Sequence, residues 1–126
     1  MDVALARAES YLEAGADVLF IEALRTREQM QEGLARFAGR APMLANMVEG
    51  GKTPILSAGE LESLGYRLVI FPGGLVRALT RTATDYFATL KTSGSTNGFR
   101  DRMLDFDQLN GVLGTQEYLA MGKSYE

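Results

Sequence analysis

Two stretches decide the fold: EAGADVLFI at residues 13–21 and SLGYRLVIF at residues 63–71. In each of them a helix end leads to a glycine, Gly15 or Gly65, then to a turn of one or two residues and an apolar strand. Glycine is typical of a helix C-terminus, because it adopts the left-handed conformation without steric cost. The pattern therefore predicts two helix–strand units of the same kind.

The rest of the chain continues this alternation. Apolar residues at helical spacing predict helices over residues 27–37, 58–64 and 74–90, and residues 42–47 form a further apolar run. The resulting order α-β-α-β-α-β-α, with short connections, favours a parallel sheet with right-handed crossovers. Short apolar runs such as residues 17–22 suit strands that are buried on both faces. Because three parallel strands are few for a complete domain and the chain starts within a helix, we expect the C-terminal part of a larger α/β unit.

The last third of the chain predicts a loop and a helical tail. The Ser-, Thr- and Gly-rich stretch within residues 92–100 indicates an exposed loop. Apolar residues then recur every three positions, which predicts an amphipathic helix from residue 103 to residue 113: Met103, Phe106, Leu109 and Val112. The predicted division is residues 1–91, the loop 92–100 and a helical tail over residues 101–126.

The composition limits the classes of function. The 126 residues contain 13 Lys+Arg and 16 Asp+Glu, a net charge of −3, which argues against a nucleic-acid or anionic membrane surface. There is no Cys and no His, so the chain lacks a cysteine nucleophile, thiolate ligands and the usual general base. The start of the chain does not resemble a secretory signal and no apolar run is long enough to cross a membrane, so we expect a cytoplasmic location.

Polar groups follow the predicted strands at their carboxyl ends, where parallel α/β folds collect their chemistry. Glu22 follows the first strand and Asn46 ends the second, while Pro72-Gly73-Gly74 follows the third and leaves backbone N–H groups open to an anion. Arg77, one turn into the next helix, suits a substrate carboxylate. Each residue alone also fits a structural role: a surface ion pair for Glu22, a loop hydrogen bond for Asn46, a solvated charge for Arg77. Their convergence favours a functional site.

Three segments carry a resemblance to a known family. Residues 41–54, APMLANMVEGGKTP, resemble the P-x-L-A-N-M-x-E-x-G-K-T-P segment of the isocitrate lyase/phosphoenolpyruvate mutase superfamily. Residues 4–23 are similar to its stretch ending A-G-A-D-x-x-F-x-E-A, and residues 64–72 are similar to its L-G-Y-x-x-V-I-Y-P. The resemblance covers nearly the whole chain up to residue 91.

The resemblance implies a fold, a chemistry and a set of site residues. The fold would be the last three strand–helix units of a (β/α)8 TIM-type barrel, a domain of about 250 residues, followed by the helical tail. The chemistry would be Mg²⁺-dependent cleavage of C–C bonds in 2-oxo or 2-hydroxy di- and tricarboxylates, or decarboxylation, through a pyruvate enolate. By position, Glu22 matches a glutamate near the metal-bound water and substrate, and Asn46 and Arg77 match substrate-binding residues.

Departures from the family pattern leave alternatives open. The family's metal-binding aspartates and mobile catalytic loop would precede residue 1, so no metal ligand is placed in this chain. Val48 replaces a Thr of the methylisocitrate lyases, and residues 105–109, DFDQL, replace their T-R-x-E-L. Both changes count against a tricarboxylate lyase and favour a smaller substrate or a less characterised subgroup. The alternatives are an enzyme that makes or breaks C–P bonds in phosphonopyruvate, or an inactive fragment that acts only in assembly. A free-standing nucleotide-binding domain is disfavoured, because the phosphate loop is missing.

The expected partners follow from this hypothesis. A small 2-oxo or 2-hydroxy acid is the expected ligand, and neither nucleic acid nor a membrane is expected. Family members exchange C-terminal helices between subunits, so a homo-oligomer with contacts through residues 103–113 is expected, with packing of this segment on its own chain as the alternative.

Overall fold

The structure, a computed structural model, describes residues 1–123, and its elements follow the predicted order. The helices and strands are α1 Asp2–Glu13, β1 Leu19–Phe20, α2 Arg27–Phe37, β2 Met43–Asn46, α3 Ala58–Leu64, β3 Leu68–Ile70, α4 Gly74–Ser93, a 3₁₀ helix Asn97–Arg102, α5 Phe106–Leu113 and α6 Thr115–Lys123. Among the described residues, no helix is both long enough and apolar enough to cross a bilayer.

The three strands form one parallel sheet in the order β1-β2-β3. Leu19 pairs with Met43, and Leu44 pairs with Leu68. The strands therefore lie side by side in the order in which they occur in the chain. Each strand follows a helix that ends at a short turn, and Gly65 closes α3 in the left-handed conformation with φ 116°. The predicted α/β class with a parallel sheet is confirmed.

One face of the sheet is buried by the helices. Leu19, Met43 and Ala45 are at most 4% exposed and belong to the core, which also includes the innermost side chains of α1, α2 and α3. Phe37 and Leu61 are completely buried there. Thr26 caps α2 by accepting a hydrogen bond from the Gln29 backbone N–H, which stabilises the start of this helix.

The other face of the sheet is open, which corrects one prediction. Successive side chains of a strand point to opposite faces, and Phe20, Leu68 and Ile70 lie on the face away from the core. These three side chains are 46%, 43% and 41% exposed. The prediction that residues 17–22 form a strand buried on both faces was therefore wrong for residues 1–123, because the side chains on the second face are only partly buried there. The strand is also shorter than predicted.

The chain divides into two compact units, residues 1–78 and the residues from 79 onward, with the division inside α4. In the second unit, Phe99 is buried against the edge of the Tyr86 ring, with ring centroids 5.5 Å apart, and the Arg102 guanidinium lies 4.3 Å from the centre of the Phe99 ring. The division at residues 91 and 100 that the sequence suggested stays a prediction.

Two boundaries in the second unit differ from those predicted. Helix α4 continues to Ser93, and the backbone N–H of Gly94 donates to the Leu90 oxygen at 2.8 Å at its end. The predicted loop 92–100 is consequently reduced by α4 and by the 3₁₀ helix. The tail helix begins at Phe106 rather than at residue 103, because Asp105 forms a capping box with Gln108. Residues 124–126 of the predicted tail lie outside the described residues.

Candidate active site

Glu22 lies directly after β1, at the carboxyl edge of the sheet, on a strained turn. The next residue, Ala23, has φ 57°, a left-handed conformation that is uncommon for any residue other than glycine. The Ala23 backbone N–H donates a hydrogen bond to Oε1 of Glu22 at 3.1 Å. The carboxylate is exposed and has no ion pair within residues 1–123. Strain of this kind collects at functional sites, so the turn supports a role for Glu22.

Asn46 is the last residue of β2 and carries an unpaired acceptor. Its Oδ1 atom is buried and has no hydrogen-bond partner in the part of the chain that the structure describes. Leaving a buried amide oxygen unpaired costs about 1–3 kcal/mol, and native proteins rarely accept this cost without a reason. A ligand that donates a hydrogen bond to this oxygen would remove that cost.

Glu22 and Asn46 line the same cavity, as expected for the ends of neighbouring parallel strands. The cavity has a volume of about 310 Å³. Its other lining residues come from the turn after β1 and from the loop after β2: Ala23, Val48, Gly51, Lys52 and Thr53. A second, small cavity of about 10 Å³, roughly the space of one water molecule, is lined by Glu22, Asn46 and Tyr66 among others. The structure brings these two predicted residues together, and their chemical roles stay predictions.

Arg77 is paired with a carboxylate of the protein itself, and its role in binding a substrate carboxylate stays a prediction. Its Nη1 donates a hydrogen bond to Oε2 of Glu49 at 2.7 Å, and Arg77 does not line the cavity that Glu22 and Asn46 share. The turn Pro72-Gly73-Gly74, predicted to be open to an external anion, is approached by the same carboxylate: a Cβ atom on Gly74 would lie 2.8 Å from Oε1 of Glu49. The anion beside this helix start is therefore a side chain of the protein itself.

The sequence interpretation missed several residues around the cavity. Lys52 adds a cation and Thr53 a hydroxyl group, and both belong to the GGKTP part of residues 41–54, which was quoted for the resemblance but assigned no role. Tyr66 is 4% exposed, and burial raises the pKa of its phenol above the ordinary value. The useful signal was position: a loop that follows a strand at its carboxyl end carries site residues even without a periodic pattern.

The residues at the cavity do not form a complete magnesium site. No group of three or more Asp, Glu, His or Cys side chains suited to a metal occurs among residues 1–123. Glu22 and the unpaired Oδ1 of Asn46 are oxygen donors, the type that Mg²⁺ prefers, but Mg²⁺ requires octahedral coordination. The two groups fit a place beside a metal ion and its water molecules rather than the ligand set itself.

Comparison with known proteins decides the family. The family model described as phosphoenolpyruvate phosphomutase matches residues 1–91, which is most of the chain. The chain belongs to the isocitrate lyase/phosphoenolpyruvate mutase superfamily. Among relatives of this superfamily, 2,3-dimethylmalate lyase from Eubacterium barkeri is 38% identical over 125 residues, which are 99% of this chain and 43% of the relative.

Other members of the superfamily carry different activities. The chloroplastic carboxyvinyl-carboxyphosphonate phosphorylmutase of Arabidopsis thaliana is 34% identical and aligns with 99% of this chain and 36% of its own length. The crystal structure of 2,3-dimethylmalate lyase in its trigonal form matches with a TM-score of 0.89 at 30% identity, over 99% of this chain and 40% of that one. The chain thus spans less than half the length of these relatives and corresponds to their C-terminal part.

Proposed function

We propose that the chain is the C-terminal portion of a Mg²⁺-dependent lyase that acts on 2-oxo or 2-hydroxy di- or tricarboxylates through a pyruvate enolate. The observation that carries this proposal is the shared cavity of Glu22 and Asn46, with the unpaired Oδ1 of Asn46, at the carboxyl edge of the sheet. Its support from relatives is 2,3-dimethylmalate lyase, whose name gives a substituted 2-hydroxy dicarboxylate as its substrate.

The barrel belongs to this proposal. The consecutive strand order β1-β2-β3 is the order that neighbouring strands take in a (β/α)8 barrel. In such a barrel the open face of the sheet, with Phe20, Leu68 and Ile70, would point inward and be covered by side chains from the remaining strands. Five further strand–helix units, outside this chain, would complete it.

The proposal gives each of these residues a task. Asn46 offers Oδ1 to a hydroxyl group on C2 of the substrate and its amide N–H groups to a carboxylate or enolate oxygen. Lys52 places a positive charge at the cavity, which favours an anionic substrate. Arg77 binds a substrate carboxylate from the first turn of α4. Bound Mg²⁺ would supply Lewis-acid stabilisation of the enolate, and Glu22 would accept hydrogen bonds beside it.

A second candidate function is chemistry at a C–P bond. It is favoured by the 34% identity to carboxyvinyl-carboxyphosphonate phosphorylmutase, a mutase rather than a C–C lyase. A third is an inactive fragment that acts only in assembly, which is favoured by the lack of a complete metal site within residues 1–123. All three candidates use the same fold: the first two differ in the products that the natural protein releases, and the third releases none.

The test is a substrate panel with the natural protein and Mg²⁺. Oxaloacetate, 2-methylisocitrate, 2,3-dimethylmalate and phosphonopyruvate are supplied in turn, and pyruvate and phosphate are measured separately. Pyruvate release from one of the first three supports the lyase. Phosphate release or rearrangement of phosphonopyruvate alone supports the second candidate. No turnover across the panel contradicts both enzymatic functions.

We also propose that the tail contacts a second copy of the chain. Apolar side chains of α5 and α6 are strongly exposed, with Phe106 at 83%, Val112 at 76% and Tyr118 at 72%. Exposed apolar surface of this kind marks interaction sites. Sedimentation of the natural protein tests this proposal: the variant Val112→Asp is expected to reduce the oligomer size. An unchanged oligomer would favour packing of the tail on its own chain.

A further inference from the structure

An ion pair between Glu49 and Arg77 joins the loop after β2 to the start of α4. Nη1 of Arg77 lies 2.7 Å from Oε2 of Glu49, across 28 residues of sequence. The two side chains remain about half exposed, at 48% for Glu49 and 53% for Arg77. An ion pair this exposed contributes at most about 1 kcal/mol to stability, so stability alone is a weak explanation for its geometry.

The two side chains of the ion pair lie close to the backbone of two glycines, Gly73 and Gly74. A Cβ atom on Gly73 would lie 3.1 Å from Nη1 and 3.2 Å from Cζ of Arg77, and one on Gly74 would lie 2.8 Å from Oε1 of Glu49. The guanidinium and the carboxylate therefore pack directly against the backbone at the start of α4. Neither glycine has a positive φ, so the turn does not need glycine for its backbone conformation. A side chain at residue 73 or 74 would displace the ends of Arg77 and Glu49 from their present positions.

The pair holds the guanidinium at the carboxyl edge of the sheet. Arg77 lies in the first turn of α4, and its backbone N–H donates to the Gly73 oxygen at 3.1 Å. Side chains of a helix lean toward its N-terminus, so this guanidinium is directed to the end of the helix that follows β3. Glu49 comes three residues after Asn46, and the backbone of Met47 donates to the Ile70 oxygen at 2.8 Å, which ties the loop after β2 to β3.

We infer that Glu49 is a positioning residue, which holds Arg77 in place to bind a carboxylate of the substrate. The inference rests on the proposed function and adds to it a residue with no assigned role. A guanidinium has five N–H donors in a planar fork, so one edge can bind Glu49 while the other binds a second carboxylate. A long Arg side chain loses much rotamer freedom when it binds, and the contact with Glu49 restricts this freedom before the substrate arrives.

The test compares four variants of the natural protein with the substrate that the panel identifies. Glu49→Ala removes the partner of Arg77, and Glu49→Gln keeps a hydrogen-bond acceptor at the same place. Gly74→Ala leaves both charges intact but puts a methyl group where the Glu49 carboxylate lies. Glu62→Ala is the matched control, because Glu62 is an exposed glutamate of α3 without an ion pair among residues 1–123.

Positioning predicts a rise in KM rather than a fall in kcat. Glu49→Ala and Gly74→Ala are expected to raise KM about tenfold with kcat within about twofold of the wild type. Glu49→Gln is expected to restore most of the affinity, and Glu62→Ala is expected to leave KM unchanged. The thermal unfolding midpoints of all four variants are expected to stay close to that of the wild type, which separates positioning from a structural role.

Three results would overturn the inference in different ways. A lower KM in Glu49→Ala would mean that Glu49 competes with the substrate for Arg77. An unchanged KM in Glu49→Ala, beside normal turnover, would mean that the ion pair has no part in substrate binding. A wild-type protein without turnover on any substrate of the panel would reject the proposed function and this inference with it, a result that is distinct from the first two.

Discussion

Replacement of Asn46 by leucine is expected to stabilise the protein while it removes function. Leucine is close to asparagine in shape and has no polar atoms, so Asn46→Leu deletes the buried Oδ1 that has no partner within residues 1–123. The gain is the desolvation cost of that oxygen, about 1–3 kcal/mol. A residue that a protein keeps at a cost in stability is a candidate for function, since active sites trade stability for activity.

The assay is equilibrium unfolding by urea and by heat. In a chain of this size, each kcal/mol of added stability raises the thermal unfolding midpoint by about 4 °C. Asn46→Leu is therefore expected to raise this midpoint by about 4–12 °C. In the natural protein, turnover of the substrate that the panel identifies is expected to be lost in the same variant.

Asn110→Leu is the matched control. Nδ2 of Asn110 donates to the Phe106 backbone oxygen, and its Oδ1 accepts from the Thr115 hydroxyl group, both at 2.8 Å. Loss of these two hydrogen bonds is expected to destabilise the protein by about 1–2 kcal/mol. If Asn46→Leu destabilised the protein as much as Asn110→Leu does, Asn46 would be a structural residue and the reasoning from its unpaired oxygen would be refuted.

Two further predictions concern the core and the pH dependence. Leu61→Ala, at a completely buried position, is expected to cost about 2–5 kcal/mol in chemical unfolding, whereas Val3→Ala, at a position 74% exposed, is expected to cost less than about 0.5 kcal/mol; equal costs would contradict the core described above. The hydrogen bond from Arg40 lowers the pKa of Glu9 from its ordinary value of 4.5. Because this pKa is lower in the folded state, Glu9 contributes stability above pH 4.5 that is lost as the pH falls through the folded-state pKa. The melting temperature of Glu9→Gln is therefore expected to fall less steeply in acid than that of the wild type, and identical slopes would count against the ion pair.

The order of helices and strands was predictable because it depends on local signals. Helix α2 begins and ends where its periodicity predicts, at Arg27 and Phe37, and Gly65 ends α3 for a conformational reason that the sequence shows directly. The open face of the sheet was not predictable in this way. An apolar run at residues 17–22 indicates that both faces of the strand avoid water, but it does not indicate whether the covering atoms belong to the same stretch of chain.

The sequence predicted the site residues that lie at the ends of strands. It did not predict those that lie in a loop. Glu22 and Asn46 end neighbouring parallel strands, so their shared cavity follows from topology. Glu49 and Lys52 lie in a loop without periodicity, and the path of a loop depends on contacts such as the ion pair to Arg77 across 28 residues. Arg77 was consequently predicted without the partner that fixes its side chain.

The most direct test of the proposed active site is the effect of one substitution on turnover. For the natural protein with Mg²⁺ and its best substrate from the panel, kcat/KM is measured for Glu22→Gln and for Glu32→Gln, an exposed glutamate of α2 without an ion pair among the described residues. A fall of at least about 100-fold is predicted for Glu22→Gln alone. Equal activity of the two variants would contradict the placement of the active site at the cavity of Glu22 and Asn46.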